Sequence, residues 1–169
     1  LSALARLGAR LQAPRLAVLP EMTRPALHLP GGLVVLNRSL VEDFEEPDVA
    51  AGFTLTELTH ADASAPLRDF LDVAGLRLNF RHLTPREVSE DALDAYAEFL
   101  MTQAPTPPDL APQLARFEGA ALRSTPYAYA VDLTGETTLD LIEGDPMNGK
   151  LTEPLMSDAD WLRLQNICG

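Results

Sequence analysis

Cysteine is nearly absent from the 169-residue chain. Cys168, next to the C-terminus, is the only one, which excludes an internal disulfide framework and a cysteine-rich zinc site. With no histidine near it in sequence, Cys168 reads as a small hydrophobe on a terminal helix rather than a catalytic thiol. Basic residues are scarce as well: 13 lysines and arginines stand against 25 aspartates and glutamates. The resulting charge of -12 and pI near 4.5 repel phosphate backbones and anionic lipid headgroups, so nucleic acid is not an expected partner. Long apolar runs are missing. Leu33 to Leu36 falls far short of the roughly 20 residues that span a bilayer, so no transmembrane segment is expected. The sequence opens on Leu1 rather than Met and shows no signal-peptide pattern, which leaves room for a trimmed signal or anchor upstream. Localisation is unconstrained on this reading: a soluble domain, membrane-associated or exported within a full-length protein. Internal repeats and low-complexity tracts are also lacking. What is present is 46% hydrophobic content, enough at this length to bury a core, and one compact domain over 1–169 is expected.

Leu1, Leu4, Leu7 and Leu11 recur at helical spacing before Pro14, so an amphipathic helix opens the chain. Leu16 to Leu19, closed by Pro20, is a short strand, and Gly32 to Asn37 is a stronger one introduced by Pro30-Gly31. Pro47 suits a first helical position, and Ala51, Leu55 and Leu58 continue an apolar face, giving a helix from Pro47 to His60. Alternation in Phe53-Thr54-Leu55-Thr56-Glu57 and the β-branched threonines argue for a strand there, but helix is the reading adopted. A short helix follows from Pro66 to Ala74, with Gly75 as its stop. Thr84-Pro85-Arg86-Glu87 is a capping-box pattern that launches a helix with Ala92, Leu93, Tyr96, Ala97 and Leu100 on its buried stripe. Beyond the proline-rich Ala104 to Pro108, Leu110, Leu114, Phe117 and Ala121 mark a further helix. Tyr127 to Asp132 and Thr137 to Glu143, around Leu133-Thr134-Gly135-Glu136, read as a β-hairpin, and Ser157 caps a terminal helix through Trp161 and Leu164. The tyrosines and Trp161 are read as packing residues. Many helices with few strands make the class α+β.

Chemistry-bearing residues concentrate in Thr56-Glu57-Leu58-Thr59-His60. Metal-dependent peptide hydrolysis on a helix uses two histidines four residues apart, so that both face one Zn²⁺, with a glutamate beside the first as general base. Here the second histidine and the glutamate are present, and a threonine stands at the first position. Three further segments accompany the motif: Ala26-Leu27-His28-Leu29-Pro30-Gly31-Gly32 running into Leu33-Val34-Val35-Leu36, the acidic stretch Glu42 to Asp48, and Glu90-Asp91-Ala92-Leu93-Asp94.

In this order and spacing the set resembles the HtpX-like gluzincin zinc metallopeptidases over about residues 1–104, while 105–169 is an unassigned C-terminal extension. The resemblance implies a zincin-like fold, with helices on a small mixed sheet and the hairpin and terminal helix appended. It implies Glu57 as general base, His60 and Glu90 as zinc ligands, and Asp94 as the aspartate that orients a ligand histidine. It also implies that Pro30, Gly31, Gly32, Leu33 and Val34 belong to a strand lining the cleft, where an extended peptide pairs by main-chain hydrogen bonds. Departures accompany the matches. Thr56 replaces the first ligand histidine, Pro25 replaces the family asparagine ahead of Pro-Gly-Gly, and the interval from His60 to Glu90 is short for the family. A threonine hydroxyl is a poor zinc ligand, so zinc is expected to bind weakly or not at all, hydrolysis to be impaired or absent, and peptide or protein binding to persist. The rival expectation is an active enzyme in which His28 or His82 completes the site. A third is a structural or regulatory domain, with His60 merely favouring its helix C-terminus and the Glu90 to Asp94 run a solvated face.

Overall fold

The computed structural model describes residues 2–13, 15–64, 66–73, 90–103 and 106–166. Helix α1 (Ala3–Arg10) begins on Ser2, whose hydroxyl accepts from the Ala5 amide. Strands β1 (Arg15–Leu19), β2 (Ala26–Leu29) and β3 (Leu33–Asn37) follow, then α2 (Ser39–Glu42), α3 (Pro47–Ala63) and α4 (Pro66–Val73). The remaining helices are α5 (Glu90–Thr102), α6 (Leu110–Gly119), α7 (Thr125–Val131), α8 (Leu139–Glu143) and α9 (Asp158–Gln165). The chain is therefore α+β, as its composition of elements suggested. None of the described helices is long and apolar enough to cross a membrane.

The three strands form one mixed sheet in the order β1-β3-β2, with β1 parallel and β2 antiparallel to β3. Pro30-Gly31-Gly32 is the turn between Leu29 and its partner Leu33, and both glycines take positive φ, +82° and +73°, which L side chains adopt only with strain. The expectation of a cleft strand over residues 30–34 is corrected here. Pro30 to Gly32 form a turn, and Leu33 and Val34 open the central strand, which is paired on both sides. Among the described residues the free edges belong to β1 and to β2, the strand that carries His28.

Helix α3 is the spine of the molecule. Pro47 starts it, and Val49, Ala50, Ala51, Leu55 and Leu58 are buried, so it is enclosed on most sides rather than amphipathic. Its threonines do not disrupt it because each hydroxyl finds a partner. Thr54 and Thr59 donate to the carbonyls of Ala50 and Leu55 one turn back, at 2.9 and 2.8 Å. Gly52 lets α7 approach: a Cβ there would stand 2.4 Å from that of Tyr127. Leu7, Val34, Leu36 and Leu55 join Phe117, Tyr127, Trp161 and Leu164 in one apolar core, so the segment after residue 105 is packed into the same core as the earlier part.

The C-terminal β-hairpin is not formed. Tyr127 to Val131 falls in α7, with Asp132 as its C-cap, and Thr137 to Glu143 in α8 and its approach. Alternating aromatic and small residues imitate a strand pattern, but Pro126 fits the first helical turn, and packing Tyr127 and Ala128 against α3 requires helical spacing. The loop between is organised by Asp132, whose carboxylate accepts from the amides and hydroxyls of both Thr134 and Thr137. Helix α9 matches expectation, with Ser157 accepting from the Asp160 amide. The capping box at Thr84, the stop at Gly75, His82 and Cys168 lie outside the described residues.

Candidate metal centre

Glu57 and His60 sit three residues apart on α3, so their side chains share a face of the helix. That face meets β2, the outer strand, at His28. In the antiparallel register His28 lies opposite Val34, and its amide turns away from β3 to donate to Glu57 Oε2 at 3.1 Å. The His28 ring reaches the same oxygen through Nδ1 at 2.8 Å. The other carboxylate oxygen, Oε1, lies 3.8 Å from His60 Nδ1. The two imidazole rings stand with centroids 6.2 Å apart and are tilted by 49°. One ligand atom from each of His28, Glu57 and His60 can be chosen so that all lie within 4.8 Å of one another, and such a group could hold a metal ion.

All three side chains are shielded without being sealed, at 20%, 15% and 23% exposure. Burial pushes the Glu57 carboxyl up, but the His28 hydrogen bond and the nearby His60 ring outweigh it and hold the group down at about 2. Glu57 is then an anion at neutral pH, so the His28 nitrogen facing it carries a proton. The other ring nitrogen of His28 lies 3.3 Å from Ser64 Oγ. His60 Nε2 is buried and finds no hydrogen-bond partner among the described residues. A buried imidazole nitrogen without a partner is unusual and is what an imidazole that receives a cation would present. Two imidazoles and one carboxylate are moreover the donor set of a class of catalytic zinc sites. The residues present thus fit a divalent transition metal.

The expected site residues divide. His60 and Glu57 come together with His28, one of the two histidines weighed as replacements. Glu90 is exposed at the first residue of α5 and Asp94 is exposed one turn on; neither belongs to the group. Thr56, at the position of the missing histidine, is turned to another partner: it is 5% exposed, and its hydroxyl accepts from Gln113 Nε2 of α6 at 2.9 Å. Position 56 is closed off by the C-terminal segment. Sequence reasoning missed Gln113 and Ser64, and neither carries a local signal, since an amide on an amphipathic helix and a serine after a helix are ordinary surface patterns. No family model matches the chain, and no curated protein matches it.

Proposed function

We propose that the chain is a metallopeptidase-like domain of the HtpX-like gluzincin kind whose metal site is rebuilt, with His28, Glu57 and His60 as protein ligands in place of the helix pair and Glu90. The observation that carries this reading is the capture of Glu57 by His28. Zinc held there would act as a Lewis acid and acidify water. Catalysis in this style also needs a glutamate free to take a proton from that water. Among the described residues Glu57 is the only carboxylate grouped with the two histidines. His28 binds one of its oxygens through ring and amide together, and the depressed pKa makes it a weak base. Hydrolysis is therefore impaired, while the site persists as a binding centre.

Peptide or protein binding is the function that remains. Strand β2 is an open edge among the described residues, so an extended segment can add to it through main-chain hydrogen bonds, although the His28 amide is already engaged by Glu57. Zinc-supplemented protein assayed with quenched-fluorescence peptides is expected to show no turnover above buffer. Zinc-dependent cleavage that Glu57→Gln abolishes would favour the active peptidase instead.

A further inference from the structure

Ser64 is the C-cap of α3, where its amide donates to the His60 carbonyl at 2.9 Å. It follows Glu57 and His60 at i, i+3, i+7 spacing, which keeps the three on one side of the helix. Strand β2 presents His28 to that side, and the ring bridges the two ends of the series. Its Nδ1 lies 2.8 Å from Glu57 Oε2, and its Nε2 lies 3.3 Å from Ser64 Oγ. The order is therefore hydroxyl, imidazole, carboxylate, with each end on its own ring nitrogen. Glu57 accepts the Nδ1 proton, and the His28 amide, donating to the same oxygen at 3.1 Å, holds the carboxylate in place. In the neutral ring Nε2 then carries the free lone pair, and it faces the serine. A hydroxyl beside a base that a third group orients is the arrangement that makes serine a nucleophile, and such contacts are often long before substrate binds. Capping the helix uses only the Ser64 backbone, so that role gives no reason for the hydroxyl to meet an imidazole pinned from its other side.

We infer that Ser64, His28 and Glu57 form a metal-independent acyl-transfer site for esters with good leaving groups, with Ser64 as nucleophile, His28 as general base and Glu57 as positioning residue. Ser64 is exposed, so an ester reaches it from solvent. Ser64 Oγ attacks the ester carbonyl carbon as its proton passes to His28 Nε2. The bond from that carbon to the leaving oxygen breaks, and Nε2 returns the proton to the departing group. Water then attacks the Ser64 ester, giving its proton to Nε2, which hands it to Ser64 Oγ as the acid is released. An aryl ester suits the site best, since its phenolate leaves with less oxyanion support than a peptide amide demands. A metal on His28 would take either the Nε2 lone pair that serves Ser64 or the Nδ1 that serves Glu57, so the two uses of the ring alternate.

The full chain, kept in chelator, is incubated with a fluorophosphonate, and the adduct is located by mass spectrometry. In that reaction the Ser64 Oγ–P bond forms, the P–F bond breaks, and fluoride leaves with the proton that His28 accepted. The expected result is one adduct, at Ser64, absent in Ser64→Ala and formed about 100-fold or more slowly in His28→Ala. Hydrolysis of p-nitrophenyl acetate should fall in the same order. If His28→Ala loses its circular dichroism signature, His28→Gln, whose side-chain amide can still bond Glu57, supplies the comparison. Nitrogen-15 NMR of the His28 ring should show a protonated Nδ1 and a bare Nε2. Glu57→Gln should lose that preference, which a merely structural Glu57 would not alter. No adduct at Ser64 in the folded parent, an undiminished rate in folded His28 variants, or a neutral ring protonated on Nε2 would overturn the site. Metal is absent throughout, so these failures are distinct from a failure to bind zinc.

Discussion

At the residue scale, the decisive contact is His28 with Glu57. Its sign with pH follows from the direction of the shift. The Glu57 carboxyl lies near 2 in the folded chain, below its ordinary 4.5, so it contributes stability that is present above about 4.5 and lost as pH falls toward 2. The full contribution is on the order of 3 kcal/mol at about 1.4 kcal/mol per unit. In chelator-treated protein, unfolding free energies of the parent and Glu57→Gln are expected to converge between pH 5 and about 2, the parent losing more than the variant; parallel profiles across that range would show that the pair contributes nothing. The motif residues Glu57 and His60 were legible in the sequence because helix spacing alone puts them on one face. His28 could be named only as a possible replacement. Its approach depends on the turn at Gly31 and Gly32 and on strand register, neither of which fixes which helix β2 will face.

At the element scale, α3 was readable from Pro47 and its apolar positions, and its threonines are accommodated by bonding to their own helix or to Gln113. The segment from Thr125 to Glu143 was misread because Tyr127, Tyr129 and Val131 alternate as a strand would, while the contact that selects a helix, Tyr127 on Gly52, is 75 residues away in sequence. That contact is testable. An alanine at position 52 would gain roughly 0.5–1 kcal/mol of helix propensity. It would also place its Cβ 2.4 Å from that of Tyr127, a backbone-fixed clash of the overpacking kind that costs about 1–3 kcal/mol. The clash wins: Gly52→Ala should lower the unfolding free energy by about 1 kcal/mol net, read as a lower urea midpoint. Gly119→Ala, with nothing within 4 Å of its Cβ, should not. Equal midpoints for the two would mean that α3 and α7 do not cross at Gly52.

At the scale of the whole molecule, the α+β class was legible because the helical faces and the two strongest strands announce themselves locally. The use of the C-terminal segment was not. Residues after 105 look like an appendage in sequence, yet Phe117, Tyr127 and Trp161 complete the core, and Gln113 closes the position where a second helix histidine would stand. The same packing that seals position 56 leaves the β2 side of α3 as the place where imidazoles can meet Glu57. The proposed ligand set is thus tied to the architecture and not to the helix motif alone. Calorimetric titration of chelator-stripped protein with zinc tests it most directly, run on the parent, His28→Ala and Glu90→Ala. One equivalent should bind, His28→Ala should weaken it by about 100-fold or more, beyond what loss of a ligand's supporting partner usually costs, and Glu90→Ala should bind as the parent does. Failure of the folded parent to take up zinc, or uptake that survives loss of His28 but not of Glu90, would contradict the rebuilt site.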